Sequence, residues 1–550
     1  MRKLLIAGLT VIVMTFGTGC AKLPSDGQVV VGPNIEAGLE TDYLYYSPSG
    51  PSDDASQESI LQGFINAGTG PQNDYAVARE YLSEELAAKW KPNNRVLVEA
   101  SRPLITMIET DRASVSVPLV ATVDQRGLYQ VASPGDTEVL SFTFVKEAGQ
   151  WRIAEAPDLT MVIRPVFDVI FKAYSIYFYD NQSKYLVPDV RWFPSRASTS
   201  TRLISALLNG PSEWLVNTVH SAIPQGTTLN LNTVAIAEGV ASVDLSKKAL
   251  TATTFQKKLM QAQITKSLMQ LPSVYSVQVS IERGLLDTYT LGNEFSRTLT
   301  PVALFEDDLV HIDSSNQAQV PGAQQVLKNL GAVEFGLSVE ETLAAFTTDK
   351  GVYLANLAKP GESPKLLSTR TDFLAPVIDK QGNTWLVSKN SGATLVFDAA
   401  GTRLSFDARW LQSQKVLSFS ISDEGSRIAA IVSDGKNTKL FVSAIVRLDS
   451  GLPRYLDLPI SPNAATNLFS VDWLDETRLG LLEKQATNFV QPWVTLVGGA
   501  TASLPTISNA ESIVGAGQSS TIYALDIFGS MHLYRGNTWV RVADAILALH

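Results

Sequence analysis

The C-terminal part of this chain repeats itself, and the repeat leaves few folds open to it. Five segments, beginning at Glu334, Leu374, Leu417, Leu468 and Ser512, each carry an apolar strand, a short polar turn and a second apolar strand. Their starts lie 40, 43, 51 and 44 residues apart. A period of roughly 40 to 50 residues with several short strands per unit is the signature of a β-propeller. Gly351 to Leu357 and Pro364 to Arg370 supply the third and fourth strands of the first full unit. The only helical pattern nearby is Ala323 to Leu330. Thr300 to Asp313 reads as two further strands before that unit, and Val540 to His550 follows the last one. Pairing these ends makes a sixth blade and removes two exposed edges, so five or six blades are expected over residues 300–550.

The other end of the chain decides where that propeller folds. Arg2 and Lys3 precede an apolar run from Leu4 to Phe16, which gives way to Gly17, Thr18, Gly19 and Cys20. A charged start, an apolar core shorter than the roughly 20 residues of a membrane span, and small residues at a cut site are those of a secretory signal. The placement of Cys20 after Thr18 and Gly19 resembles a bacterial lipobox, with Gly17 standing where such boxes usually carry Leu. The resemblance implies a signal peptide over residues 1–19, diacylglycerol on Cys20, and a lipid anchor on the extracytoplasmic face of the cell membrane. Cys20 is also the only cysteine, so no intrachain disulfide can form. Residues 20–52, rich in Pro, Gly, Ser and Asp, read as a tether; Tyr43, Tyr45 and Tyr46 within it suit a short strand.

A chain of 550 residues exceeds the roughly 250 to 300 at which one core stops growing, so several domains are required. Forty-four basic against 54 acidic residues give a net charge of −10, a poor match to nucleic acid. After residue 20 no apolar stretch reaches membrane length.

Between tether and propeller lie two α+β units. In residues 53–168, Ile60, Leu61, Phe64 and Ile65 recur at helical spacing behind Asp53, Asp54 and Glu58, and a second helix is predicted over Asp74 to Lys89. Strands follow over Ser114–Val123, Tyr129–Ala132, Glu138–Lys146 and Trp151–Glu155. Helices before an antiparallel meander resemble an NTF2-like or cystatin-like cone. In residues 169–290, strands at Ile176–Tyr179 and Tyr185–Phe193 precede a helix over Thr199–Asn209 that Gly210-Pro211 stops. A hairpin over Ser221–Ser246 turns at Glu238-Gly239, a helix runs over Thr253–Leu271, and a strand over Val274–Glu282. The motif Leu207-Leu208-Asn209-Gly210-Pro211, the segment Ser221 to Thr227 with Pro224 and Gly226, and the strand carrying Asp244 resemble the GerMN domain of germination and cell-envelope proteins. These residues are mostly turn-formers, which identify a fold better than a site.

Lipobox, cone, GerMN unit and propeller in this order resemble the actinobacterial LpqB lipoproteins. That resemblance implies an accessory protein of the MtrA/MtrB two-component system whose partner is the extracytoplasmic domain of the sensor kinase MtrB. The alternative is a lipoprotein that binds cell-wall glycan or a small molecule, for which Trp385, Trp410, Trp473, Trp493 and Trp539 offer stacking rings, although core packing explains most of them. No catalytic residues, metal ligands or cofactor are assigned. His220, His311, His532 and His550 are scattered, hydrolase and phosphate-loop motifs are missing, and Glu306, Asp307, Asp308 and Asp313 lack the spacing of a calcium loop. The expectation is a non-enzyme.

Overall fold

In the computed structural model the described residues are 48–195, 198–287, 300–312, 317–462, 465–486, 488–516 and 521–550. Cys20, Asp313 and the tether tyrosines lie outside them.

The first unit forms because an amphipathic helix finds a sheet to cover. Ser56 caps helix Gln57–Ala67 by accepting from Ser59 N at 3.2 Å. The helix buries Ile60, Leu61, Phe64 and Ile65. The sheet beneath bends along its long strand Arg112–Asp124. The first half of that strand lies between Leu104–Glu109 and Thr137–Glu147, the second between Arg95–Glu99 and Tyr129–Val131. Gln150–Glu155 and Thr160–Ile163 extend the two halves. Phe64, Trp90 and Phe142 meet in the core at ring spacings of 5.1 and 6.2 Å.

The single helix predicted over Asp74–Lys89 is two short ones, Ala76–Arg79 and Glu84–Lys89. Between them the backbone is captured by the sheet: Ser83 N donates to Ile153 O at 2.8 Å and Ile153 N to Tyr81 O at 2.9 Å. Tertiary hydrogen bonds replace the helical ones that a continuous helix would have made there.

In the second unit, strands Phe171–Asp180 and Leu186–Pro194 pair antiparallel, with Val219–His220 at one edge. A second sheet holds Ala235–Ala237, Val240–Leu245, Ser276–Ile281 and Gly284–Leu285. Its middle strands are parallel, connected over helix Thr254–Leu268, which starts in a capping box between Thr253 and Gln256. The predicted turn at Glu238-Gly239 is present, both residues having positive φ, and Ala235–Ala237 pairs across it, with a further bridge between Leu229 and Leu245. Leu203, Ile204, Leu207, Met260, Ile264 and Leu268 from the two helices share one core.

The third unit consists of six sheets, each four strands deep along its path. We name the strands of each sheet A to D from the centre outward. Blade 1 takes its A strand, Ala548–Leu549, from the far end of the chain and strands B to D from Val302–Leu304, Leu309–Ile312 and Gln317–Gln319. Val302 N donates to His550 O at 2.8 Å and His550 N returns the bond at 2.9 Å. Val540, predicted to take part in this closure, instead lies in Thr538–Ala543, the outer strand of blade 6. Blades 2 to 6 begin at Glu334, Val377, Lys415, Leu468 and Ala510. Their inner strands crowd together: a Cβ on Gly336 would lie 2.1 Å from Pro376 O, and one on Gly515 2.4 Å from Leu474 Cα. Apolar side chains fill the space between neighbours, as where Ala429, Ile431, Leu440 and Val442 of blade 4 meet Val471, Trp473 and Leu479 of blade 5.

Candidate functional site

Two cavities result from this assembly. The first, of about 420 Å³, lies where the A strands of all six blades converge. Alternation along those strands brings polar residues to it, among them Ser418, Ser420, Ser470, Asp472 and Ser512. The A–B turns add Glu341, Asp379 and Asp423 at its mouth, and blade 1 adds His311 and His550. The four histidines are therefore less scattered than the sequence indicates, because chain closure brings His311 and His550 to one cavity.

Burial pushes the Asp472 carboxyl up to about 7, against a 2.6 Å hydrogen bond from Ser420 Oγ that favours its charged form. The surrounding walls, with Glu424 beside it, raise Asp423 to about 6. Asp379 is instead committed to structure, accepting from Arg447 at 2.7 Å and from the Trp385 indole at 2.8 Å. Among the described residues no group of three or more His, Cys, Asp or Glu side chains is placed to hold a metal ion.

The second cavity, of about 590 Å³, opens where all three units meet. The GerMN-like unit sits on the A–B and C–D turns of blades 4 and 5, which share one face because neighbouring strands are antiparallel. Asn181 Nδ2 donates to Arg447 O at 2.8 Å, Asn217 Nδ2 to Asp457 Oδ2 at 2.9 Å, and Trp192 Nε1 to Gly498 O at 2.9 Å. Tyr177 donates its hydroxyl to the Glu476 carboxylate. Burial, with Glu476 beside it, holds that phenol well above its usual range, so it remains a donor. The cone joins the same junction, with Trp192 N donating to Gly127 O at 2.8 Å and Arg126 Nη2 to Pro211 O at 2.9 Å.

Two buried guanidiniums brace the junction. Arg191 makes a two-pronged pair with Asp189, at 2.9 Å for each prong, and Ser212 completes it from the loop after Gly210-Pro211. Arg427 reaches Glu424 through Nε at 2.7 Å and Glu476 O through Nη2 at 2.7 Å, and lies 4.4 Å from the Trp473 ring centroid. It stands between the two cavities, against Trp473 of the channel on one side and lining the junction on the other.

The tryptophans singled out in the sequence are mostly in the core or already bonded. Trp385 is fully buried, Trp410 packs on Phe441, and Trp473 is buried in the channel wall. Trp493 donates to Glu483 and Trp539 to Pro505 O. Asp308 closes the turn of the acidic cluster, bonding Leu309 N and Gln319. Asp244 ties a strand end, accepting from Asn230, Ser280 and Arg283 N. Trp214, which sequence reading passes over, lines the second cavity: it sits in a loop without periodic context and packs against the cores of the second unit and the propeller.

A bent α+β cone, a GerMN-type unit and a six-bladed propeller, joined in series around one junction, define a class of three-domain protein. Family models match in the same order: the N-terminal domain of lipoprotein LpqB over residues 50–168, the "sporulation and spore germination" domain over 175–284, and the LpqB beta-propeller domain over 307–547. The chain belongs to the LpqB lipoprotein family. Lipoprotein LpqB of Thermobifida fusca and that of Cutibacterium acnes are each 26% identical to it, with 88% of both chains covered. That of Streptomyces coelicolor is 24% identical over 96% of this chain and 94% of its own. Among solved structures, the first GerMN domain of GerM from Bacillus subtilis is similar at 24% identity, covering 23% of this chain and 98% of that one, with a TM-score of 0.18. A nidogen/laminin complex is similar over 42% of this chain and 88% of that one, at 12% identity and a TM-score of 0.30.

Proposed function

We propose that the protein is anchored through Cys20 on the extracytoplasmic face of the membrane and acts as an accessory regulator of an MtrA/MtrB-type two-component system, binding the extracytoplasmic domain of the sensor kinase MtrB. The reading extends what the family resemblance implies. The observation that carries it is the docking of the GerMN-like unit on one face of the propeller. Side-chain bonds from Tyr177, Asn181 and Trp192 occupy turns of blades 4 and 5, one from Asn217 reaches the end of the outer strand of blade 4, and the opposite face is left presented by a rigid base.

On that opposite face the B–C turn of blade 6 displays Ile527, 60% exposed, and Phe528, 72% exposed. Asp526 fixes the turn by accepting from Phe528 N and Ser530 N, both at 2.9 Å. Leu547, also exposed, lies beside it at the start of the closing strand. A large apolar pair on a pre-ordered turn makes an interface anchor at little entropic cost. A lipid anchor confines both proteins to one membrane and raises their effective concentration, so a modest interface suffices. Regulation further requires tighter binding to one signalling state of the kinase than to another.

The test is a pull-down of the kinase sensor domain by purified residues 30–550, with kinase phosphorylation measured in membranes. Phe528→Ala should weaken capture about tenfold or more, the range of an interface anchor, and label from a palmitate analogue should disappear in Cys20→Ala. Undiminished capture by Phe528→Ala moves the interface elsewhere; no capture by the parent protein ends the proposal.

A further inference from the structure

We propose that the cavity at the three-domain junction is a saccharide-binding site. This is independent of the kinase reading and concerns a different surface. At about 590 Å³ the cavity falls within the roughly 300–1,000 Å³ of small-molecule sites, and domain junctions are where such sites concentrate.

Its chemistry is that of sugar recognition. A pyranose offers hydroxyls that both donate and accept, arranged around an apolar face of C–H groups. It is held by an aromatic ring and by planar polar side chains of both signs. Trp214 lines the cavity and packs against the cores of the GerMN-like unit and the propeller, which fixes the ring. Arg126 gives one N–H to Pro211 O and forms no ion pair among the described residues. Arg427 engages Glu424 and Glu476 through Nε and Nη2, and its Nη1 makes no hydrogen bond among the described residues. Acceptors face these donors. Glu213 lines the same space, as does Asp124, whose Oδ1 already accepts from Arg126 N and Leu128 N, and Asp457 carries Asn217 with it. Asp189 also lines it, but Arg191 and Ser212 consume its oxygens. Guanidiniums and carboxylates interleaved around one ring favour a neutral polyhydroxylated ligand over an anion or a cation. Gly498 and Gly499 contribute backbone to the lining.

Because the lining comes from residues 124–131 of the cone, 212–217 of the GerMN-like unit and 457–462 of the propeller, a bound oligosaccharide touches all three units at once. Occupancy would stiffen their junction, in proportion to the ligand's preference for the closed arrangement.

The experiment titrates the full soluble chain with chitotetraose, maltotetraose and α-1,6-mannotetraose. It follows melting temperature and amide hydrogen exchange. At least one glycan should raise the melting temperature by about 2 °C at about 100 times its Kd and slow exchange in all three lining segments together. Two rim substitutions at exposed positions, Gln130→Trp and Leu458→Trp, should block entry and weaken binding about tenfold or more while leaving the melting temperature of the free protein unchanged. Trp214→Phe should retain part of the affinity that Trp214→Ala loses. The proposal is overturned if none of the three glycans binds at 10-millimolar scale, if a bound glycan protects only one segment, or if both rim variants bind as the parent does.

Discussion

At the scale of single residues, Asp472 and the pair Asp189–Arg191 give opposite tests of burial. The Asp472 carboxyl titrates near 7 in the folded chain, above its value in an unfolded one. The folded state therefore holds an extra proton between the ordinary carboxyl range and about pH 7, and stability falls as pH rises through that window, then levels off. Asp472→Asn keeps an acceptor for Ser420 and abolishes this loss. It should match the parent at pH 4 and exceed it by on the order of 1–3 kcal/mol at pH 8, read from urea melts at both. Arg191 is the converse case, because its charge is matched by two carboxylate oxygens and sealed from water. Arg191→Met leaves Asp189 buried and unpaired and should cost about 3–5 kcal/mol, whereas Arg191→Met with Asp189→Leu should recover much of it. Equal losses in the single and double variants would refute that account. Neither behaviour is legible in the sequence, where Asp472 lies in an unremarkable strand and Asp189 is separated from Ser212 by a helix. The same blindness hides Trp214, whose significance comes from partners more than 200 residues away.

At the scale of elements, local pattern succeeded where an element answers mainly to its own periodicity. The inner strands of blades 2, 4, 5 and 6 begin near the repeats at Glu334, Leu417, Leu468 and Ser512, because each must alternate toward the same channel. Pattern failed where a distant partner decides. Tyr81 to Ser83 look helical yet bond to Ile153. Arg95–Glu99, Leu104–Glu109 and Thr160–Ile163 escape a reading that begins its strands at Ser114. The two-residue strand Ala548–Leu549 has no pattern of its own and exists through its pairing with Val302–Leu304. Removing residues 547–550 should open blade 1, expose the edge of Val302–Leu304, and lower the melting temperature by about 5 °C or more, with new binding of a hydrophobic dye. An unchanged melt would show that closure contributes little.

At the scale of the whole molecule, three domains behave as one body only so long as the junction holds. Tyr177→Phe, Asn181→Ala and Asn217→Ala together delete three of the bonds between the GerMN-like unit and the propeller and leave each core intact. The bond from Asn181 to a backbone carbonyl contributes about 1 kcal/mol and the two to carboxylates about 1.5–3 kcal/mol each, so the triple variant should stay folded but hinge. Small-angle scattering should report a larger radius of gyration, and under the kinase proposal capture of the sensor domain should be retained with its effect on phosphorylation reduced. A radius identical to the parent's would place the rigidity in the apolar contacts of Trp192, Trp214 and Leu496 instead. The order of domains was readable because each carries its own turn-formers, Gly210-Pro211 and Pro224 among them. Their mutual orientation was not, since it depends on side chains that are surface residues until the neighbour arrives.

The way blade 1 is built also sets a timetable. Ribosomes and translocons deliver a chain from its N-terminus, so Val302–Leu304 emerges long before the Ala548–Leu549 that must pair with it. During that interval the cone and the GerMN-like unit can complete their cores, while blade 1 waits with three strands and the edge of Val302–Leu304 open. Such edges template pairing with other chains. The envelope must therefore keep a partly made propeller from its neighbours until the final strand arrives, and the already folded base beneath blades 4 and 5 is the part of the chain best placed to do so.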